Sequence, residues 1–238
     1  MTMTAHDDAL PDFEPTARTR VRRLHIRAVY DRKAVYEILD AGLMCHVGYV
    51  IDGQPYTTPT AYWREGDHVY WHGSSASKML RRLSGDRDGD GSGEASGGIP
   101  VCFTVALLDG LVLARSGFHS SINYRSVMAL GTAQVVREPA RKLAALEAFT
   151  ERLTPGRWAE LRPAMRQELK ATTVMFMHLD EVAAKVRTGP PADDEADYDL
   201  DVWAGVVPIA TTIGAPEDDP GLKAGVAAPG YLGEIEIG

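Results

Sequence analysis

The chain has 238 residues, 45% of them hydrophobic, and its 33 acidic against 25 Lys and Arg side chains leave a formal net charge of -8. That is the composition of a folded domain, and it is too acidic for a general nucleic-acid binder, which needs a basic face to displace counterions. Only Cys45 and Cys102 are present, so a disulfide framework is not expected. No apolar stretch approaches the roughly 20 residues of a membrane helix, and the first residues lack the charged start and apolar block of a secretory signal. These features predict a cytoplasmic protein with neither nucleic acid nor membrane among its partners.

Residues 1–19 read as a flexible arm, and 20–238 as one domain with a C-terminal extension from 190 onward. In "DRKAVYEILDAG", Asp31 is placed to cap a helix, Val35, Ile38 and Leu39 form its apolar stripe, and Gly42 is placed to stop it. The period then changes. "LMCHVGYVID", "YTTPTAYWRE" and "HVYWHG" are β-rich and joined by turn chemistry, which predicts an antiparallel meander. "SKMLRRLSG" reads as a short helix. The stretch Asp86–Gly98 is a flexible loop by composition. Its D-x-D-x-D-G start imitates a calcium loop, but position 12 is Gly97 where a bidentate carboxylate is required.

"IPVCFTVALLD" and "LVLARSG" read as a hairpin turning at Asp109-Gly110. "SVMALGTAQVVRE" is a further strand, "PARKLAALEAFTERL" a helix opened by Pro139, and "WAELRPAMRQEL" a helical stretch broken by Pro163. "TTVMFMHLDEVAAKVR" reads as one late strand, and the tail carries an acidic run before "VWAGVVPIA". About six strands with helices that do not alternate with them predict a mainly β, α+β fold: a β-barrel with peripheral helices. Neither a G-x-G-x-x-G nor a P-loop motif occurs.

"HGSSASKML", residues 72–80, is the stretch where chemistry concentrates. Ser74, Ser75 and Ser77 offer hydroxyls and Lys78 a point charge, at a strand-to-helix handover that suits an anion such as a phosphate monoester. A serine-rich cap with a solvated lysine explains the same letters equally well. In "HSSINYRSVMALG", Arg125 has the planar fork that suits a phosphate or a carbonyl-bearing ring, though a surface arginine is the ordinary outcome.

Together these stretches resemble the FMN-binding split-barrel family that includes pyridoxamine 5′-phosphate oxidase, especially its bacterial flavin-nucleotide-binding and nitroimidazole-reductase-like branch. The resemblance runs from Arg20 to Pro208 and rests on "GQPYTTPTAYW", "VYWHGSSASKML", "NYRSVMALGTAQVV", "AAKVRTGPP" and "VWAGVVP", in that order. It implies a six-stranded antiparallel split barrel, a homodimer, and FMN at the dimer interface. By position it implies flavin-ring contacts from Thr58, Pro59 and Thr60, and phosphate or ribityl contacts from His72, Gly73, Ser74, Ser77 and Lys78. Arg125 and Ser126 follow near the phosphate and ring, and Trp203 matches a tryptophan that reaches FMN across the interface.

The departures bear on substrate. Trp63 stands where the oxidases carry a lysine, and no Arg-x-His clamp follows Trp203. Groups expected to hold a second phosphate are thus missing, so the resemblance does not imply vitamin B6 oxidation. The reading that results is an FMN-dependent oxidoreductase for a small organic substrate, with His72 as candidate proton donor and His119 as a second. A flavin carrier or redox sensor without turnover, and a split barrel binding haem or a deazaflavin, are the alternatives. No metal site is expected, because the seven histidines show no metal-ligand spacing.

Overall fold

The computed structural model describes residues 10–83, 98–235 and 237. Nine strands form the sheet: β1 (Ala28–Val29), β2 (Met44–Ile51), β3 (Gln54–Glu65), β4 (His68–Ser74), β5 (Ile99–Leu113), β6 (Ser121–Val135), β7 (Thr172–His178), β8 (Glu181–Arg187) and β9 (Gly205–Pro208). The order β6-β7-β4-β3-β2-β5, closed by a β5–β6 pairing, makes a ring of six antiparallel strands. The remaining three flank it: β8 beside β6, β1 beside β8, and β9 on β5. The alternation read from the sequence sets the faces. On β2, Cys45, Val47, Tyr49 and Ile51 turn inward with Phe103, Val105, Val127, Ala129 and Trp71, while Met44, His46 and Val50 face outward.

Among the described residues, four α-helices attach to this ring: α1 (Arg32–Ala41), α2 (Lys78–Leu83), α3 (Pro139–Leu153) and α4 (Arg166–Ala171). As expected, Asp31 caps α1, its side chain accepting from the Ala34 N–H at 2.7 Å, and Gly42 ends it. The buried stripe Val35, Ile38 and Leu39 lays α1 on the core, and Tyr62 of β3 donates its hydroxyl to the Leu39 carbonyl at the helix end. Helix α3 builds a second cluster outside the ring, covering Trp63, Tyr70, Val136 and Val174. Pro163 does separate a 3-10 turn, Trp158–Glu160, from α4.

Three expectations are corrected. Asp109-Gly110 is no hairpin turn: β5 runs straight through, with a register shift between Leu108 and Gly110, and the chain reverses between Leu113 and Ser121. The Asp-Gly pair is absorbed as a bulge because Arg125 on the neighbouring strand holds the Asp109 carboxylate. The late strand is two, since β7 and β8 are separated by Leu179-Asp180 and lie on opposite sides of β6, β7 between β6 and β4 and β8 between β6 and β1. Residues 10–19 of the expected arm are docked: Phe13 is buried and its N–H donates to the Tyr30 carbonyl at 3.0 Å. The loop singled out at Asp86–Gly98 lies, apart from Gly98, outside the described residues. Among the described residues, no helix is long and apolar enough to cross a membrane.

Candidate functional site

The strand pairings locate a split in the ring. β3 pairs with β4 only from Tyr62↔Trp71 to Glu65↔His68. Upstream, Gln54–Ala61 pairs with β2 alone, and beyond Trp71 the residues His72, Gly73 and Ser74 pair with β7 alone. The two strands therefore part after Tyr62 and Trp71, and their facing backbone edges have no ladder partner among the described residues. Backbone N–H and C=O groups left this way must find other partners. A planar, hydrogen-bonding ring system is one that such a slot can take.

One wall of the split carries Thr58, Pro59 and Thr60. Thr58 and Thr60 sit opposite the buried Val47 and Cys45, so they share the inner face, and the Thr58 hydroxyl lies 3.1 Å from that of Tyr49. Pro59 faces outward beside His46. The other wall carries Gly73 and Ser74. Gly73 has no positive φ. Its missing side chain instead lets α2 approach: a Cβ there would lie 2.9 Å from Leu80 Cδ1. Ser74 opens a tight turn, its carbonyl accepting from the Ser77 N–H at 2.9 Å and its Oγ from the Ala76 N–H at 3.2 Å. Lys78 begins α2, and its side chain lies outside the described residues. Thr58, Thr60, Gly73, Ser74, Ser77 and the backbone of Lys78 thus belong to the walls and end of this split.

The remaining candidates lie elsewhere. His72 points outward under α3, its ring 4.6 Å from Phe149 and 5.9 Å from Trp63. Burial pushes its pKa below the ordinary value, and its Nδ1 is buried without a partner. Arg125 pairs with Leu107 of β5, whereas the ladder Thr58, Val47, Phe103, Ala129 puts Ala129 of β6 level with Thr58. At about 3.3 Å per residue, those four residues are roughly 13 Å along the strand. Arg125 is tied to Asp109 through bonds of 2.8 and 3.1 Å, and the Ser126 hydroxyl donates to the Lys185 carbonyl at 3.3 Å. Trp203 is exposed, next to Gly205 at the start of β9. Within one chain, the side chains of Arg125 and Ser126 are engaged by Asp109 and the Lys185 carbonyl, and Trp203 precedes the edge strand β9.

His119 is held between Asp193 and Asp194, at 3.8 and 3.9 Å. The buried Asp193 carboxylate also accepts from the Arg115 and Ser116 N–H groups and the Arg115 guanidinium. This joins the hairpin after β5 to the acidic segment, a tie the sequence did not announce. Sequence reading also passed over Asn123 and Arg187, both buried polar residues. The one signal was an arginine closing the apolar strand "EVAAKVR".

Comparison with known proteins now bears on this geometry. A family model described as pyridoxamine 5′-phosphate oxidase matches residues 31–186. The chain belongs to this family. It is similar to the flavocytochrome Anf3 from Azotobacter vinelandii, with 43% identity, 95% of this chain and 100% of that chain covered, and a TM-score of 0.86. It is similar also to the FAD and heme binding protein from Mycobacterium smegmatis, at 35% identity, 88% and 97% coverage and a TM-score of 0.79. A putative 5-nitroimidazole antibiotic resistance protein from Bacteroides thetaiotaomicron shares the fold at 21% identity, covering 67% of this chain and 86% of that chain with a TM-score of 0.51. No curated protein matches the chain. The six-strand ring agrees with the split-barrel resemblance read from the sequence.

Proposed function

We propose that this chain is a redox flavoprotein that also binds haem: an oxidoreductase of flavocytochrome type. The observation that carries the reading is the 43% identity to a flavocytochrome across 95% of the chain. A flavin nucleotide fits the split between β3 and β4, with Thr58 and Thr60 beside the ring and Ser74, Ser77 and Lys78 at the phosphate end. FMN and FAD both bring a phosphate to that junction. FAD is the form proposed, because the relative at 35% identity binds FAD.

The residues present also fit a haem. His25 and His46 are exposed imidazoles, and each has apolar neighbours in sequence: Leu24 and Ile26 for the first, Met44 for the second. They would hold the haem iron. His68 and His178 meet edge to face, and His72 packs under α3. A bound flavin supplies hydride chemistry and a bound haem one-electron chemistry, and the protein supplies their orientation and electrostatics. His72 faces away from the split, which supports electron transfer over acid–base chemistry by that residue.

A homodimer completes the reading. The outward face of β2 exposes Met44 and Val50, and a second copy on that face would bring its own Arg125, Ser126 and Trp203 toward the split. The deciding measurement is the visible spectrum of purified, desalted protein, followed by chromatography of the acid-released flavin and a pyridine haemochrome assay. Flavin bands together with a Soret band support the proposal. Flavin alone removes the haem half, and a colourless protein that retains neither added cofactor overturns it.

A further inference from the structure

Arg187, the last residue of β8, is 9% exposed. Its Nη1 donates to Asn123 Oδ1, and Asn123, 7% exposed, in turn donates Nδ2 to the Gly189 carbonyl at 3.2 Å. The Arg187 Nε is buried with no hydrogen-bond partner, and among the described residues no carboxylate pairs with the guanidinium. Its charged neighbour is Arg27, of the same sign, which together with burial lowers its pKa. Other arginines of this chain are treated differently. Arg32, Arg64, Arg115 and Arg125 each have a carboxylate oxygen within 3.1 Å.

A buried cation without a counter-charge is unfavourable, and a neutral amide does not offset that. The position is short of one negative charge. Its surroundings are also unusual. Arg27 ends a 3-10 turn, His25–Arg27, entered through Leu24 at a φ of 54°. That turn leaves Ile26 81% exposed and contacts β8. An unpaired guanidinium beside an uncovered apolar side chain suits a ligand with an apolar body and an acid group.

We propose that Arg187, oriented by Asn123 and seconded by Arg27, is the binding site for an oxyanion, carboxylate or phosphate, carried by an organic ligand. The planar fork of the guanidinium is built for bidentate contact with such a group. The assignment stands on the unpaired cation and does not depend on which cofactor occupies the split. A haem propionate, a flavin phosphate and a free acid share this chemistry.

The test is a set of paired titrations on cofactor-free protein, native and Arg187→Gln. Haem is compared with its dimethyl ester by the Soret band, FAD with riboflavin by fluorescence, and inorganic phosphate is followed by its effect on Tm. Arg187→Gln is expected to lose about tenfold or more in affinity for one acid-bearing probe while leaving its neutral counterpart unchanged. Loss confined to haem assigns a propionate, loss confined to FAD a phosphate of the nucleotide, and loss of the phosphate response alone a free acid. Arg27→Gln, outside the core, should weaken the same probe by a smaller factor and covers the case in which Arg187→Gln fails to fold. Equal affinities for every probe in native protein and both variants overturn the proposal. So does dissociation of an oligomer by Arg187→Gln with no change in anion binding, since a neighbouring copy's carboxylate would then be the missing partner. Native protein that binds neither haem nor FAD would sink the flavocytochrome reading, while the phosphate titration still decides the role of Arg187.

Discussion

Arg64 of β3 holds Asp40 of α1 through two bonds, Nε to Oδ1 at 2.9 Å and Nη2 to Oδ2 at 2.5 Å. The same guanidinium lies over the Tyr36 ring at 3.9 Å. One residue therefore fixes the helix to the strand whose other half forms a wall of the split. The Arg64 side chain is nearly buried, so removing its partner leaves a charge with poor access to water. Asp40→Ala should cost about 3 kcal/mol in denaturant unfolding. A loss indistinguishable from that of an exposed alanine substitution would show that the pair is not a structural tie.

Gly98 has a φ of +90°, and a Cβ added there would lie 2.4 Å from the Ala133 carbonyl oxygen. Backbone cannot yield as a flexible side chain does. Gly98→Ala should lower stability by roughly 1–3 kcal/mol, read as a fall in Tm. An unchanged Tm would mean that the entry to β5 can move without cost.

Burial lowers the pKa of both His72 and His68 below the ordinary value of 6.5, and His178 adds to the effect on His68. For a base shifted down, the unfolded chain takes its proton first as pH falls, so stability is lost from about pH 6.5 downward. His72→Gln should flatten that part of the pH–stability curve. A variant curve that still falls in parallel with the native one would assign the dependence to other groups.

Burial pushes the Cys45 thiol up to about 12. It should therefore stay protonated and unreactive in the folded protein, while the half-buried Cys102 is open to reagent. Mass spectrometry after maleimide treatment at mild alkaline pH should find one adduct in the native state and two in denaturant. Rapid double labelling of native protein would mean that β2 opens far more readily than its packing implies.

Met44 and Val50 expose an apolar face on β2. In the proposed dimer, Met44→Lys with Val50→Lys should shift the protein toward monomer in sedimentation velocity and weaken flavin retention with it. Monomeric native protein, or a variant that stays dimeric and retains flavin, would refute this arrangement of the interface.

By itself the sequence determined the element types and the family. β-rich segments and turn chemistry marked β2, β3 and β4, Asp31 and Gly42 bounded α1, Pro139 opened α3, and the ordered motifs pointed to the pyridoxamine 5′-phosphate oxidase family. These signals are local, set by neighbours within a few residues. What only the tertiary structure decided is long-range. Asp109-Gly110 carries turn chemistry, yet Arg125 on the adjacent strand holds it inside a continuous β5. His72 is the first residue of the split edge of β4 and its side chain still packs under α3, because successive strand residues face opposite sides. Arg187 looked like any strand-end arginine. That it is buried and lacks a counter-charge depends on Asn123 and Arg27, brought to it from distant parts of the chain by pairing of β8 with β6 and β1.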